Sequence, residues 1–184
     1  MNKPTSLKTA YSVAVFLFVL LATAAVYAAR VNPPAKMPEF TQDDEAAWLN
    51  SKPLKSSDLR GKVVLIDVWT YGCWNCYRSF PWLRGIEEKF SDEDFAVIGI
   101  HTPEFDHEKD RDNVVKKIAE FELHHPVMMD NDFAYWRALN NRYWPAYYIV
   151  DKQGNIRKGF IGETHKGDNR AEKIENLIAT LLQE

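Results

Sequence analysis

The chain has 184 residues, a length that suggests one domain, or one domain with an appendage. Apolar residues make up 46% and charged residues 27%, which is a globular composition and too apolar for a disordered chain. The net charge of −3 gives no electrostatic basis for binding nucleic acid. Two cysteines are too few for a disulfide scaffold and, without clustered histidines, cannot complete a four-ligand structural zinc site.

The N-terminal thirty residues differ in composition from the rest of the chain. Residues 10–29 carry no charge, and as a helix they would span about 30 Å, the thickness of the hydrocarbon core of a bilayer. We predict a membrane anchor over residues 1–30, because the apolar stretch of a cleaved signal peptide is usually shorter, about 7–15 residues. A signal peptide cleaved after Ala28 is the alternative. With Lys3 and Lys8 inside, the domain would face the periplasm from a single-pass anchor in the inner membrane, or would be secreted there after cleavage.

A proline-rich stretch separates this segment from the remainder. Residues 31–38 predict an extended linker, since Pro33, Pro34 and Pro38 oppose a helix. A single domain without an internal repeat then covers residues 39–184.

The domain alternates predicted strands and helices. The short and nearly continuous apolar run Val63–Val68 predicts a buried central strand. Apolar residues then recur at helical spacing from Cys76 to Phe90, which predicts an amphipathic helix. The later elements are a strand over 95–100, a helix over 114–121, a strand over 127–129, a short helix over 133–139, a hairpin of strands over 147–150 and 156–161, and a helix over 174–182. This order predicts an α/β fold with a central mixed sheet, parallel in its first part, and helices on both faces.

Cys73 and Cys76 follow the first predicted strand, where its helix begins. A separation of three residues places both side chains on one side of the first helical turn, near enough to form and break a disulfide. Cys73 lies at the helix N-terminus, where free N–H groups and the helix dipole lower the pKa of a thiol, whereas Cys76 belongs to the apolar stripe. We predict that Cys73 attacks a substrate disulfide and Cys76 resolves the mixed disulfide. A static disulfide is the weaker alternative, because a cross-link that closes so short a loop removes little conformational entropy from the unfolded chain and so stabilises the fold little.

Three stretches around these cysteines resemble the thioredoxin superfamily. They are Trp69–Arg84, Val97–Phe105 and Tyr143–Gly154, and they are most similar to the membrane-anchored thiol–disulfide oxidoreductases of the TlpA and DipZ kind. The resemblance covers residues 39–184 and implies a thioredoxin-like redoxin domain with the cysteine pair as its redox-active centre. Neither a cofactor nor a metal is expected.

The same resemblance implies roles for further residues. Pro145 corresponds to the cis-proline that faces the disulfide and helps to bind the substrate backbone, although the sequence without the resemblance favours a trans bond. Asp67 corresponds to the buried acid of thioredoxins; burial would raise its pKa and let it accept or return the Cys76 proton. The alternative is a hydrated carboxylate at a strand end. Ser79 stands where many members carry a carboxylate.

Other residues near the cysteines are candidates for contacts with a substrate. Glu104 follows the second strand and is a second candidate for a proton relay or a substrate contact, with a solvated loop acid as the alternative. Trp74 and Trp144 would line an apolar rim with Tyr71, suited to an unfolded or peptide-like partner, whereas Trp69 is expected in the core.

The prediction is an extracytoplasmic thiol–disulfide oxidoreductase, and the resemblance favours a reductase. Its partners would be oxidised proteins, including apocytochrome c in cytochrome c biogenesis, and a membrane electron donor of the DsbD or CcdA kind. A thiol peroxidase-like antioxidant enzyme and a copper-binding thioredoxin-like chaperone are the alternatives. The doublets His124–His125 and Met128–Met129 do not predict a metal site, because adjacent strand residues point to opposite faces.

Overall fold

The computed structural model describes residues 35–184. The predicted anchor over residues 1–30 and the start of the predicted linker lie outside the described residues. Within the described part, no helix has the length and apolar character needed to cross a membrane. The end of the predicted linker lies on the domain, since Lys36 pairs with Asn155 in an isolated antiparallel bridge and the Met37 side chain is buried.

Six strands form one mixed sheet: β1 (Trp48–Leu49), β2 (Val63–Trp69), β3 (Phe95–His101), β4 (Val127–Met129), β5 (Ala146–Val150) and β6 (Ile156–Ile161). Their order across the sheet is β1-β4-β3-β2-β5-β6. The central strands β2, β3 and β4 are parallel, while β1, β5 and β6 each pair antiparallel with a neighbour. The mixed sheet predicted from the sequence is confirmed. Strand β1 was not predicted, because two residues are too few to show a periodicity.

Within residues 35–184, four helices accompany the sheet: α1 (Trp74–Lys89), α2 (Arg111–Glu120), α3 (Ala134–Ala138) and α4 (Asn169–Gln183). Short 3-10 turns lie at Glu45–Ala47, Ser56–Leu59 and Asp106–Lys109. Side chains cap the three longer helices, since Cys73, Asp110 and Asp168 each accept a hydrogen bond from an amide of the first turn. Helices α2 and α4 begin before their apolar stripes, because a polar cap and not the stripe fixes the first turn.

Alternate residues of β2 point to opposite faces of the sheet, and this places the site. Val64 and Ile66 pack in the core on the α3 side. Leu65 and Trp69 pack on the other side with the buried residues of α1, α2 and α4. Asp67 has the same parity as Leu65 and Trp69, so its carboxyl group lies on the α1 side within an otherwise apolar layer.

Candidate active site

The cysteines form a disulfide at the start of α1. Their Cα atoms are 5.3 Å apart, within the range that a disulfide requires. Cys73 is the N-cap residue, and its sulfur accepts a hydrogen bond from the Cys76 amide at 3.2 Å. Cys73 is partly exposed, whereas Cys76 is fully buried. The sequence predicts this difference in exposure: the Cys73 sulfur is accessible to another molecule, whereas the Cys76 sulfur is not.

The backbone at the start of α1 favours a thiolate at Cys73. The amide that contacts the Cys73 sulfur belongs to the first turn of α1, whose N–H groups carry the positive end of the helix dipole. A negative sulfur accepts such a hydrogen bond more strongly than a neutral one. Reduction of the disulfide therefore leaves Cys73 in surroundings that stabilise its anionic, nucleophilic form.

Glu108 holds the loop before Cys73, a role that the amino-acid sequence does not predict. Its carboxylate is fully buried and accepts hydrogen bonds from the amides of Gly72 at 2.8 Å, Glu104 at 2.6 Å and Phe105 at 3.0 Å. A Cβ at Gly72 would overlap the Glu108 carboxylate, so this position requires glycine. Glu108 lies in a charged segment whose sequence resembles that of a solvated loop. The cluster of acidic residues in this segment is the one feature of the sequence that points to it.

Glu104 contacts the site through its backbone. Its side chain is exposed, and its amide donates to Glu108. A proton role for the Glu104 carboxylate stays a prediction.

Tyr71 and His101 form the wall of the site next to this loop. The Tyr71 hydroxyl donates to the His107 carbonyl at 2.8 Å, and the rings of Tyr71 and His101 stack with centroids 5.8 Å apart. Burial raises the pKa of Tyr71, and the negative charge of Glu108 adds to the effect. Burial lowers the pKa of His101 to about 4, so this imidazole is neutral at physiological pH. This wall is uncharged and largely apolar.

Pro145 and Trp144 lie where β5 begins. The Trp144–Pro145 peptide bond is cis, as the resemblance implies. Val68 pairs with Ala146, so Pro145 lies level with the end of β2, from which the chain continues to Cys73. The Trp144 indole N–H donates to the Thr102 carbonyl at 3.0 Å, which fixes the orientation of the ring. The substrate-binding role of this pair stays a prediction.

Exposed aromatic side chains lie beside Cys73. Trp74 is 66% exposed and stacks on Tyr77, which is itself 45% exposed. A groove of about 350 Å³ adjoins Cys73, and its walls include Tyr71, Trp74, Tyr77, Lys117 and Phe121. Trp69, by contrast, is buried in the core as expected. The surface around the outer sulfur is therefore open and presents exposed aromatic rings beside the charged side chains of Lys117 and Glu120, which suits contact with another polypeptide.

Asp67 is buried on the inner side of the site. Its side chain is 1% exposed, so the alternative of a hydrated carboxylate is wrong. Burial raises its pKa to about 8, and the negative charge of Glu87 contributes in the same direction. A group with this pKa can both accept and release a proton near neutral pH, which is what a proton acceptor for Cys76 requires.

Ser79 stands where the resemblance leads us to expect a carboxylate, and its hydroxyl has structural partners. It donates to the Asn75 carbonyl at 2.7 Å and accepts from the Thr164 amide at 3.0 Å. The side chain therefore ties α1 to the segment after β6.

A metal site does not form from the two doublets noted in the sequence. His124 is exposed and His125 is buried, while Met128 and Met129 lie in the cores on opposite faces of the sheet. Across residues 35–184, no group of three or more His, Cys, Asp and Glu side chains is arranged to hold a metal ion.

The chain is similar to the proteins of one known family. The redoxin family matches residues 33–178. The chain belongs to the redoxin family. This redoxin is 43% identical over 140 residues to protein DipZ of Mycobacterium bovis, and the match covers 74% of the chain but 19% of DipZ. The chain therefore spans about a fifth of the length of that relative.

Two further similar proteins are matched over most of their own length. The thiol-disulfide oxidoreductase YkuV of Bacillus subtilis is 32% identical over 121 residues, which are 66% of the chain and 80% of YkuV. The solved structure of a thiol-disulfide isomerase from Corynebacterium glutamicum has a TM-score of 0.67 at 24% identity, over 80% of this chain and 97% of that one, and shows the same thioredoxin-like fold. YkuV is named for thiol–disulfide exchange, and this redoxin carries a disulfide at the start of α1.

Proposed function

We propose that this redoxin reduces disulfide bonds of other proteins on the extracytoplasmic side of a membrane. The observation that supports a protein substrate is the surface around Cys73, where a partly exposed sulfur at a helix N-terminus adjoins the exposed rings of Trp74 and Tyr77. A polypeptide with a disulfide can reach that sulfur and cover apolar surface at the same time.

The exchange proceeds in two steps. The Cys73 thiolate attacks one sulfur of the substrate disulfide; a mixed disulfide forms, and the other substrate sulfur leaves as a thiolate that takes a proton from water. Asp67 then accepts the Cys76 proton, and the Cys76 thiolate attacks Cys73 to release the second substrate sulfur. The substrate gains two electrons, and the cysteine pair loses two and becomes a disulfide.

Renewal of the dithiol requires an electron donor outside this chain. We assign this part to a membrane protein of the DsbD or CcdA kind, which would pass electrons to the Cys73–Cys76 disulfide by the same exchange in reverse. Oxidised extracytoplasmic proteins, among them apocytochrome c in cytochrome c biogenesis, are the proposed acceptors. The support is the family resemblance and the similarity to DipZ.

The location follows from the sequence of the N-terminal segment. Residues 10–29 have the length and apolar character of a membrane anchor, with Lys3 and Lys8 on the cytoplasmic side. Cleavage after Ala28 would release the domain into the periplasm, where it would carry out the same thiol–disulfide exchange.

The experiment that tests the function is trapping with the Cys76→Ser variant of the full chain. Without the resolving thiol, the variant stalls as a mixed disulfide through Cys73, and mass spectrometry of the adducts identifies the partners. The double variant Cys73→Ser, Cys76→Ser is the matched control and should capture nothing. Adducts with extracytoplasmic cysteine proteins are expected; the absence of any Cys73-dependent adduct would overturn the proposal.

The direction of electron transfer is tested separately by a redox titration of the wild-type pair. Thioredoxin has a potential of about −270 mV and the strong oxidant DsbA about −120 mV. We expect a value near the reducing end of this range. A couple near the oxidising end would reverse the direction while leaving the exchange chemistry intact.

A further inference from the structure

Glu108 places a buried carboxylate next to the nucleophilic cysteine. Its side chain is fully buried, and its Oε1 atom accepts a hydrogen bond at 2.8 Å from the amide of Gly72, the residue before Cys73. Because neighbouring Cα atoms are about 3.8 Å apart, the carboxylate and the Cys73 sulfur are separated by at most about 11 Å in any side-chain rotamer. The carboxylate that holds this loop is therefore close enough for its charge to act on the nucleophile.

The Glu108 carboxylate has no counter-charge in the described part of the chain. Among residues 35–184, no Lys, Arg or His side chain forms an ion pair with it. Lys109 is paired with Asp106, and Lys117 is paired with Glu120, each at 2.7 Å. The three amides that bind the carboxylate fix its position but carry no net charge. A negative charge therefore remains in the wall of the site.

The charge of Glu108 acts on the other side chains of this wall. It adds to the rise in the pKa of Tyr71, which burial mainly causes. It also opposes the fall in the pKa of His101 that burial causes. A buried charge is screened less by water and salt than a charge on the surface. Tyr71 and Cys73 line the same groove, so we expect the charge to act on the Cys73 sulfur as well.

We propose that Glu108 tunes the redox equilibrium of the cysteine pair: its charge disfavours the Cys73 thiolate and thereby favours the disulfide form. Reduction adds two electrons to the disulfide and produces two sulfur anions. Cys76 takes a proton, while Cys73 stays anionic to the extent that its surroundings stabilise the anion. Stabilisation of the reduced form is what makes DsbA a strong oxidant. A negative charge near Cys73 has the opposite effect and makes the pair more reducing.

Two opposing influences therefore meet at the Cys73 sulfur. The start of α1 stabilises the thiolate, through the dipole and the Cys76 amide at 3.2 Å, while the Glu108 charge limits that stabilisation. A thiolate that is stabilised less is also the stronger nucleophile, since intrinsic nucleophilicity falls as the pKa of the thiol falls. This tuning rests on the exchange proposed above, and it gives the proposed direction, from the dithiol to the substrate, a structural cause.

The other titratable groups around the cysteines are uncharged, exposed or paired. Tyr71 and His101 are uncharged near pH 7, because burial raises the pKa of Tyr71 and lowers that of His101 to about 4. Asp67, on the inner side, is mostly protonated below its pKa of about 8. The remaining charged side chains are exposed to solvent or paired with the opposite sign: Glu104, His107, Asp110, Lys117 with Glu120, and Arg78 and His165 with Glu163. Removal of the Glu108 charge should therefore change the cysteine pair most.

Redox titration of the full chain against dithiothreitol tests the tuning, with Glu108→Gln as the variant that keeps the side-chain shape and removes the charge. At a pH where Cys73 is ionised, we expect the equilibrium constant for oxidation of the pair to fall about tenfold, equivalent to a potential about 30 mV less reducing. In the Cys76→Ser background, the Cys73 thiol should become about tenfold more acidic, as measured by the ultraviolet absorbance of the thiolate.

Two matched variants separate the effect of the charge from the effect of the hydrogen bonds. Glu108→Asp keeps the charge but shortens the side chain, which weakens the hydrogen bonds to the loop. It should lower stability and keep the equilibrium constant within about twofold of wild type. Asp106→Asn removes a carboxylate that is 96% exposed in the same segment, and it should also stay within about twofold, because solvent screens an exposed charge.

An equilibrium constant of Glu108→Gln within about twofold of wild type overturns the tuning. An equal shift in Glu108→Asp also overturns it, since the effect then belongs to the shape of the loop. If Glu108→Gln does not fold in buffer, both proteins are titrated in trimethylamine N-oxide, an osmolyte without net charge that stabilises folded chains. A failure of the proposed function appears elsewhere, as an absence of adducts in the Cys76→Ser trapping experiment while Glu108→Gln still shifts the potential.

Discussion

The outer and inner sides of the Cys73–Cys76 disulfide differ in exposure, polarity and the way each is built. The outer side, at Cys73, is an open surface of loops and exposed rings, and the Glu108 carboxylate holds its backbone in place. The inner side, at Cys76, is closed and built from the sheet and α1, with one buried acid in an apolar layer. The fold thus separates an open surface at the Cys73 sulfur from a closed, mostly apolar layer at the Cys76 sulfur.

This separation explains how two cysteines in one helical turn can have different tasks. A nucleophile needs access and a stabilised anion, which the helix N-terminus supplies at Cys73. A resolving thiol needs protection from competing disulfides, which full burial supplies at Cys76, and a base, which is the role proposed for Asp67. Neither environment could serve both sulfurs.

The largest effect should come from the cysteines themselves. Cys73→Ser should abolish the reduction of protein disulfides, because the remaining thiol is fully buried. Cys76→Ser should retain attack but stop turnover. Insulin reduction measures turnover, and gel shifts under non-reducing conditions measure the mixed disulfide. Equal adduct formation by both variants would remove the distinction between the two sides.

Asp67→Asn should give the next largest effect. Resolution should slow by about 10²-fold at pH 7, and the rise of its rate through pH 8 should vanish, because the amide cannot accept a proton. Stopped-flow kinetics of the reduced chain with an aromatic disulfide, which releases one coloured thiolate on attack by Cys73 and a second on resolution by Cys76, measures both phases. Attack by Cys73 should stay unchanged, so a loss in both phases would contradict the assignment.

The buried acid also predicts a pH dependence of stability. The pKa of Asp67 is about 8 in the folded chain against an ordinary value of 3.8, so the folded state binds the proton more tightly than the unfolded chain does. Its contribution to the free energy of unfolding is therefore full below pH 4 and is lost as the pH rises to about 8. Urea unfolding of the oxidised protein should show this fall, and Asp67→Asn should reduce it. An identical slope in wild type and variant would mean that Asp67 titrates normally.

Glu108 tests how the outer side is assembled. Glu108→Ala should lower the free energy of unfolding by about 2–4 kcal/mol, because the amides of Gly72, Glu104 and Phe105 lose a charged acceptor. Glu108→Gln, which keeps one acceptor oxygen, should cost less. Urea unfolding measures the free energy of unfolding of each variant, with Asp106→Asn as the exposed control. Equal stability of Glu108→Ala and the control would show that the hydrogen bonds to Glu108 do not stabilise the fold.

Trp74 should give the smallest effect on stability and a selective effect on activity. Trp74→Ala should change the free energy of unfolding by less than about 0.5 kcal/mol, since the side chain is 66% exposed. Its kcat/KM should fall with protein disulfides but not with a small aromatic disulfide. Tyr143→Ala, at 57% exposure, is a matched control. An equal loss with both kinds of substrate would argue against a polypeptide-binding surface.

Much of the fold could be predicted because its elements carry local patterns. The strand before Cys73 is a continuous apolar run, and α1 shows a clear stripe, so their order predicted the mixed sheet that the structure has. The unequal burial of Cys73 and Cys76 followed from the same stripe. Asp67 could be singled out because one acid in an apolar strand is unusual, whereas its raised pKa depends on the packing above it.

The position of the two sulfurs on the first turn of a helix can be predicted from the amino-acid sequence, since it depends on residues three apart. The surroundings of the two sulfurs, in contrast, depend on contacts between distant segments of the chain. Glu108 reaches Gly72 across 36 positions of the chain, and His125 reaches Glu87 across 38. Periodicity reports which face of an element is buried, but not which distant side chain meets it, because that depends on how the sheet brings separate loops together.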